Sequence, residues 1–344
     1  MSNIPAALLG LTLIASVVSC SKKLQGPWLK RVAQSSKLVN FKPSPLWRSL
    51  SWLTSRAIMT SVSATYARSN VTIGGKLDHS QPYLVVPNHV SYMDGWMLNF
   101  FLHDGWNNFK KLNFHDHFWT ATSAHVCFRS PASALIAALG KAVPIQGRFQ
   151  YDVNVSGDPA LGDIQALNEL WLSDMADLIV DGSRVLYFPE GRIWQEDLEQ
   201  RDGQGRLVVQ YDSSEQTRLG CEPFENTGPF YWGVAKVVAR SNCKVVPAGH
   251  FGNQLVVPCG ERNSLDMSKV RWSDQRVHIE IGEPIDFSEL IDKFKSENKI
   301  SGPITGESPA ELELYRIITR KIRMEVVNCE RKARSHLAIF QKKC

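Results

Sequence analysis

The stretch that most constrains this chain is a short apolar run, Tyr83-Leu84-Val85-Val86-Pro87, followed at once by Asn88-His89-Val90-Ser91-Tyr92-Met93-Asp94. The apolar run reads as a short buried strand. Trp96-Met97-Leu98-Asn99-Phe100-Phe101 then reads as helix. The polar residues therefore stand where a strand hands over to a helix. His89 and Asp94 are five apart, whereas neighbours on one helix face are three or four apart. The two meet only across a turn, with Asp94 in the first helical turn, where the helix dipole also favours a carboxylate. Such a pair orients and polarises an imidazole, which can then take a proton from a hydroxyl near neutral pH.

About a hundred residues later the pattern returns. Val185-Leu186-Tyr187-Phe188-Pro189-Glu190-Gly191-Arg192 reads as a strand ended by proline with a charged turn at its tip. The two tips together supply a base, an anion-binding arginine and a glycine whose backbone can approach a ligand closely. The segments between and beyond them alternate in kind. Ala132 to Leu139 reads as helix, Lys141 to Ile145 as strand, 161 to 181 as an amphipathic helix, Pro229 to Arg240 as helix, Lys244 to Ala248 and Val277 to Ile281 as strands. A long helix is expected over 309 to 340, with Leu312, Tyr315, Ile318, Ile322, Val326 and Cys329 on one side. Strand, helix, strand in this order predicts an α/β fold, a mixed sheet covered by helices.

The NH-x4-D and FPEG-R stretches, in this order, resemble the glycerolipid acyltransferases, which move fatty acyl chains onto lysophospholipids. Four blocks of that family fall in order here: Asn88 to Asp94, Gly140 to Arg148, Phe188 to Arg192, and Val245-Val246-Pro247. The second block departs from the usual pattern, because its arginine stands at 148, one residue late after Gly147. Within the family, Ser44 to Arg48, Ala124 to Phe128, Pro223 to Asn226 with Tyr231-Trp232-Gly233, and His250-Phe251-Gly252 resemble the cardiolipin-remodelling transacylases. The resemblance runs from about 44 to 290. It implies His89 and Asp94 as the catalytic pair, with Glu190, Gly191, Arg192, Arg148 and Pro247 in substrate binding. It also implies phospholipid and lysophospholipid partners: cardiolipin, monolysocardiolipin and phosphatidylcholine. The conservative alternative is an acyl-CoA-dependent lysophospholipid acyltransferase using the same base. A non-catalytic membrane-binding scaffold is the alternative of another class, and it has no need of His89, Asp94 and Glu190. No cofactor is expected. There is no P-loop or dinucleotide signature, and the seven cysteines form no CxxC pair. His115-Asp116-His117 has metal-like composition without further ligands at metal spacing, and is expected in an exposed loop.

Charge separates the ends of the chain. The first acidic residue is Asp78, and ten of the 39 lysines and arginines precede it. The remaining 29 face 34 acids, so a basic arm precedes a mildly acidic body. A basic, apolar arm fits an anionic membrane surface better than nucleic acid. Ile4 to Val18 is apolar but shorter than the roughly 20 residues a membrane span needs. An acid-free arm with Ser, Lys and Arg also has the composition of mitochondrial targeting material. The expected organisation is a targeting or anchor arm over 1–43, an interfacial helix over 44–70, an acyltransferase domain over 71–290 and a helical extension over 291–344. The interfacial helix should begin with Ser44 as N-cap and Pro45 in its first turn, carrying Leu46, Leu50, Leu53, Ala57 and Ile58 as an apolar stripe. The acidic segment at about 194–228 reads as an insertion beside the site. The expected location is a mitochondrial membrane, held peripherally or monotopically.

Overall fold

The computed structural model describes residues 45–341 apart from 104–116, 124–126, 129–130, 146–159, 192, 194–226, 229, 261–263, 266–269 and 272–274. In chain order the helices are α1 (Pro45–Thr65), α2 (Asp94–Phe101), α3 (Pro131–Leu139), α4 (Ala160–Val180), α5 (Gly233–Ser241), α6 (Asn253–Val256), α7 (Ser288–Asn298) and α8 (Pro309–Gln341). The strands are β1 (Asn70–Gly74), β2 (Leu84–Pro87), β3 (Trp119–Ser123), β4 (Ala142–Ile145), β5 (Val185–Leu186), β6 (Val245–Phe251), β7 (Cys259–Gly260), β8 (Ser264–Leu265) and β9 (Arg276–Ile281). They form two compact units. Of the described residues, one holds those up to Ala67, His79–Pro82 and those of Gly95–Leu186; the other holds Arg68–Asp78, Tyr83–Asp94 and those from Tyr187 onward.

In the first unit β4 and β5 both pair in parallel with β3. Helices α3 and α4 pack on this sheet, and α1 packs on α3. The face that α1 buries is unusual. Ser51, Ser55, Met59 and Val62 are buried, at the spacing of one helical stripe. The leucines of the expected apolar stripe point outward, with Leu46, Leu50 and Leu53 at 70%, 41% and 56% exposure. Serine can be buried here because its hydroxyl finds an acceptor: Ser51 Oγ donates to the Leu139 carbonyl at 2.5 Å. Ser61 and Thr65 donate back to carbonyls one turn earlier, at 3.0 and 2.8 Å. His117 differs from expectation. It is buried, next to the start of β3, and its carbonyl accepts from Lys141 Nζ at 2.9 Å. His115 and Asp116 lie outside the described residues. Among the described residues no helix is long and apolar enough to cross a membrane.

The second unit carries the mixed sheet, in the order β1-β9-β6-β2. β1 runs parallel to β9, β6 antiparallel to β9, and β2 parallel to β6. All four residues of β2 are buried, which is why the run Leu84 to Pro87 shows no polar alternation. Helix α8 lies across β6 and β9. Tyr315, Ile318, Ile322, Val326 and Cys329 are buried on its inner stripe, as the periodicity predicts. Gly249 on β6 lets the helix come this close, because a Cβ there would run into the backbone of Cys329 and Glu330. Pro247, also on β6, has no N–H to offer a neighbour. The chain after β9 accordingly bends past it, with the Gly282 N–H donating to the Pro247 carbonyl at 2.8 Å and Val245 pairing with Ile285.

Candidate active site

The site lies in the second unit, at the ends of β2 and β6. Register places Pro87 beside Ala248, so the chain leaves β2 level with Gly249 and His250. Asn88 then continues the ladder with its side chain. Its Oδ1 accepts the His250 N–H at 2.9 Å, and its Nδ2 donates to the His250 carbonyl at 3.1 Å. This frees the Asn88–Asp94 backbone to turn while the sheet hydrogen bonds remain satisfied.

The turn closes on Asp94, the first residue of α2. Asp94 Oδ2 accepts from His89 Nδ1 at 2.8 Å, from the Val90 N–H at 2.6 Å and from the Ser91 N–H at 2.8 Å. Asp94 Oδ1 accepts from Asn253 Nδ2, and His250 Nε2 lies 3.6 Å away. Ser91 Oγ ties the loop down by donating to the Val257 carbonyl at 2.8 Å. Because an ionised carboxylate can only accept, His89 carries its proton on Nδ1, and Nε2 keeps the lone pair. The His89 side chain is 21% exposed while Asp94 is fully buried. The Phe188 ring packs 4.4 Å from the imidazole.

Residues 68–250, more than half of the chain, match the family model described as Acyltransferase. The chain belongs to the acyltransferase family. It is 27% identical over 212 residues to N-acylphosphatidylethanolamine synthase of Arabidopsis thaliana, a match that takes in 60% of this chain and 56% of that protein's length. The chain thus spans little more than half the length of this curated relative. Among solved structures it is similar to the 1-acyl-sn-glycerophosphate (LPA) acyltransferase PlsC of Thermotoga maritima, at 14% identity and a TM-score of 0.35, over 93% of this chain and 97% of that one.

In this member of the family the second tip meets the first through Glu190. Its Oε1 accepts the His89 backbone N–H at 3.2 Å. Glu190 is completely buried, and burial pushes its carboxyl well above the ordinary range, against the smaller opposing effects of the His89 and Gly228 amides and the Arg323 charge. Its protonated form is therefore favoured relative to that of an ordinary glutamate. Gly191 has a φ of 68°, a left-handed turn that glycine adopts without strain. Burial also pushes Asp94 upward, but the neighbouring His250 and His89 outweigh it and its pKa lies below the ordinary value. His250 is shifted downward, first by burial, and is neutral at physiological pH.

The structure thus brings His89, Asp94, Glu190 and Gly191 to the two strand tips. Pro247 sits inside β6 opposite Val86, a sheet position three residues short of His250. Arg148 and Arg192 lie outside the described residues, as does nearly all of the 194–228 segment. Sequence reasoning missed three contributors. Asn253 and His250 reach Asp94 from beyond the fourth block. Arg323 reaches the loop beside Glu190 from α8, where its Nε donates to the Gly228 carbonyl at 3.1 Å. The signal available for His250 was its place at the end of the buried β6 run; for Arg323, a basic residue within α8, there was none.

Proposed function

We propose that this chain is a phospholipid–lysophospholipid transacylase of the tafazzin type, exchanging acyl chains between phosphatidylcholine and monolysocardiolipin without coenzyme A. The observation that carries the acyl-transfer chemistry is the 2.8 Å bond from His89 Nδ1 to Asp94. It leaves Nε2 as a bare base on the partly exposed side of the ring. His89 Nε2 takes the proton from the free hydroxyl of the lysophospholipid as that oxygen attacks the ester carbonyl of the donor lipid. The tetrahedral oxyanion is held by backbone N–H groups, for which the Glu190-Gly191 turn is the candidate. Collapse breaks the bond to the donor's glycerol oxygen, and His89 returns the proton to it. One ester is lost and one is made, so the exchange runs both ways. Arg192 and Arg148 are the groups for lipid phosphate, and Asp94 stabilises the imidazolium between the two proton transfers. Transacylation, as opposed to use of acyl-CoA, is supported by the cardiolipin-remodelling resemblance of the stretches quoted above.

The membrane part of this reading is supported by α1. A helix that buries serines and exposes Leu46, Leu50 and Leu53 presents its apolar face to something other than its own core. Arg48 and Arg56 flank that face and no acid occurs in the helix, which suits an anionic lipid surface. The Arg56 guanidinium lies 4.5 Å from the centre of the Trp52 ring, a pairing of the kind found at bilayer interfaces. We place the protein on a mitochondrial membrane.

A second reading has one specific support, the Arabidopsis relative, whose name makes phosphatidylethanolamine the acceptor. There the attacking atom would be an amine, and the product an amide. The deciding experiment is acyl exchange in vesicles with labelled phosphatidylcholine and monolysocardiolipin, with and without coenzyme A, and a parallel arm offering phosphatidylethanolamine. Transfer to monolysocardiolipin without coenzyme A, lost in His89→Ala, supports the proposal. Transfer only from acyl-CoA, or only to the amine, replaces it with one of the two neighbouring activities. Turnover surviving in His89→Ala overturns the mechanism for all three.

A further inference from the structure

We propose that His250 and Asn253 are positioning residues that grip the Oδ1 side of Asp94, so that its Oδ2 faces His89 in one fixed orientation. The inference deepens the acyl-transfer reading of the same site, and its kinetic arm rests on that reading.

Asp94 Oδ2 already accepts three donors, all from the turn in which Asp94 itself sits. Those donors come from one short loop and move with it. A carboxylate held by one oxygen can still pivot about its bond to Cβ. Asn253 Nδ2 donates to the other oxygen, from a residue 159 positions away in the chain. His250 Nε2 stands 3.6 Å from the same oxygen while donating to the Asn88 carbonyl at 3.0 Å. A carbonyl only accepts, so Nε2 carries the proton and donates it to Asn88, and the positive edge of the ring faces Asp94 Oδ1 from 3.6 Å as an electrostatic contact. Asp94, His250 and Asn253 are all fully buried. With water excluded, each hydrogen bond to the charge is strong and its loss is not made good by solvent.

The local backbone is built for this contact. Gly252, between the two residues, has a φ of 95°, and a Cβ there would run into the Arg276 carbonyl oxygen. Only glycine makes that turn without strain, and the turn sets Asn253 at the start of α6 facing Asp94. The two reciprocal bonds between Asn88 and the His250 backbone fix His250 to the loop from its other side. The motif asparagine therefore aligns the strand that carries the grip.

The test separates the grip from the chemistry. The titratable and charged groups around the pair are His250 on β6, Glu190 after β5, and Arg323 of α8 beyond Glu190. In the full-length protein, the titration of the coupled His89–Asp94 pair is followed by NMR on the His89 ring protons, in wild type, Asn253→Ala, His250→Leu and His250→Gln. Asn253 and His250 stabilise the ionised carboxylate. Without the Asn253 donor or the facing edge of the His250 ring the carboxylate is more basic, the pair takes up a proton more readily, and the midpoint moves to higher pH. The expected movement is about one pH unit for Asn253→Ala, the worth of one hydrogen bond to a charged group. His250→Gln, whose amide nitrogen can take the place of Nε2, is expected to restore the wild-type midpoint. In acyl exchange Asn253→Ala and His250→Leu are expected to lose kcat about tenfold at unchanged KM, with the acid limb of the pH profile moving up alongside the midpoint, and His250→Gln to recover both. A midpoint unmoved in folded Asn253→Ala and in folded His250→Leu overturns the grip, even if acyl exchange proceeds. A shifted midpoint in a protein that shows no acyl exchange supports the grip and overturns the functional reading instead.

Discussion

Replacing Asp94 by alanine and by asparagine should give two different failures, and the difference can be worked out from the hydrogen bonds. Four donors end on this buried carboxylate: His89 Nδ1, the Val90 and Ser91 amides, and Asn253 Nδ2. Alanine leaves all four without an acceptor. A buried donor stripped of its partner costs about 1–3 kcal/mol, so the set is on the order of 4–12 kcal/mol. That is comparable with the entire stability of a typical domain, about 5–15 kcal/mol. Asp94→Ala is therefore expected to be unfolded or to lose its cooperative melt. Asparagine has two orientations. Turning its NH2 toward the loop sets a donor against three donors, whereas turning it toward Asn253 sets it against one, which can rotate to offer its own oxygen. The second orientation wins, and the fold survives. His89 keeps its tautomer but loses the anion that stabilises its protonated form. A general base so disabled forfeits about 10²–10⁴-fold in rate. Thermal melts by circular dichroism and acyl exchange on the same preparations make the comparison. An Asp94→Ala variant that melts within a few degrees of wild type would show that the carboxylate is not the hub of the loop. Near-wild-type turnover in Asp94→Asn would remove Asp94 from the mechanism.

Three further perturbations probe the site and α1. Glu190 has its pKa raised by burial, so its contribution to stability is complete below the ordinary value of 4.5 and is lost as pH rises through the folded value. Glu190→Gln keeps an acceptor for the His89 N–H and cannot ionise, so its melting temperature relative to wild type should increase as pH rises above 4.5; a constant difference across that range would mean that Glu190 is not held neutral. His250 has the opposite sign, being shifted below 6.5, so the wild-type protein should lose stability as pH falls below 6.5, and His250→Gln should lose less of it in the same melts. The paired change Leu50→Ser with Leu53→Ser alters residues at 41% and 56% exposure, so the melting temperature should hardly move. Each leucine side chain moved from water into lipid is worth about 1.5–3 kcal/mol, so sedimentation with anionic vesicles should show binding weakened at least about tenfold; unchanged binding would leave the outward leucines without a membrane role.

The readable part of this site is the part built within a few residues of chain. Val85 and Val86 mark a buried strand by composition, Asp94 starts a helix, and the five-residue gap allows His89 to meet it only through a turn. Each inference uses contacts that are local, and the observed turn has that form. The remainder depends on register. His250 becomes a neighbour of Asn88 because β2 aligns with β6 across 162 positions of sequence, and no local pattern encodes that pairing. Asn253 inherits its position from the same register and from one glycine with positive φ. Arg323 arrives only after α8 has packed across β6. The leucine stripe of α1 shows the converse. Its helical period was legible, but the period gives two candidate faces and does not say which is covered. Periodicity marked Leu46, Leu50 and Leu53 as one stripe, and the structure leaves that stripe exposed while Ser51 and Ser55 are buried, the Ser51 hydroxyl satisfied by the Leu139 carbonyl. On the proposed reading the exposed leucines are the face offered to lipid, and vesicle binding of the paired serine variant decides whether they are.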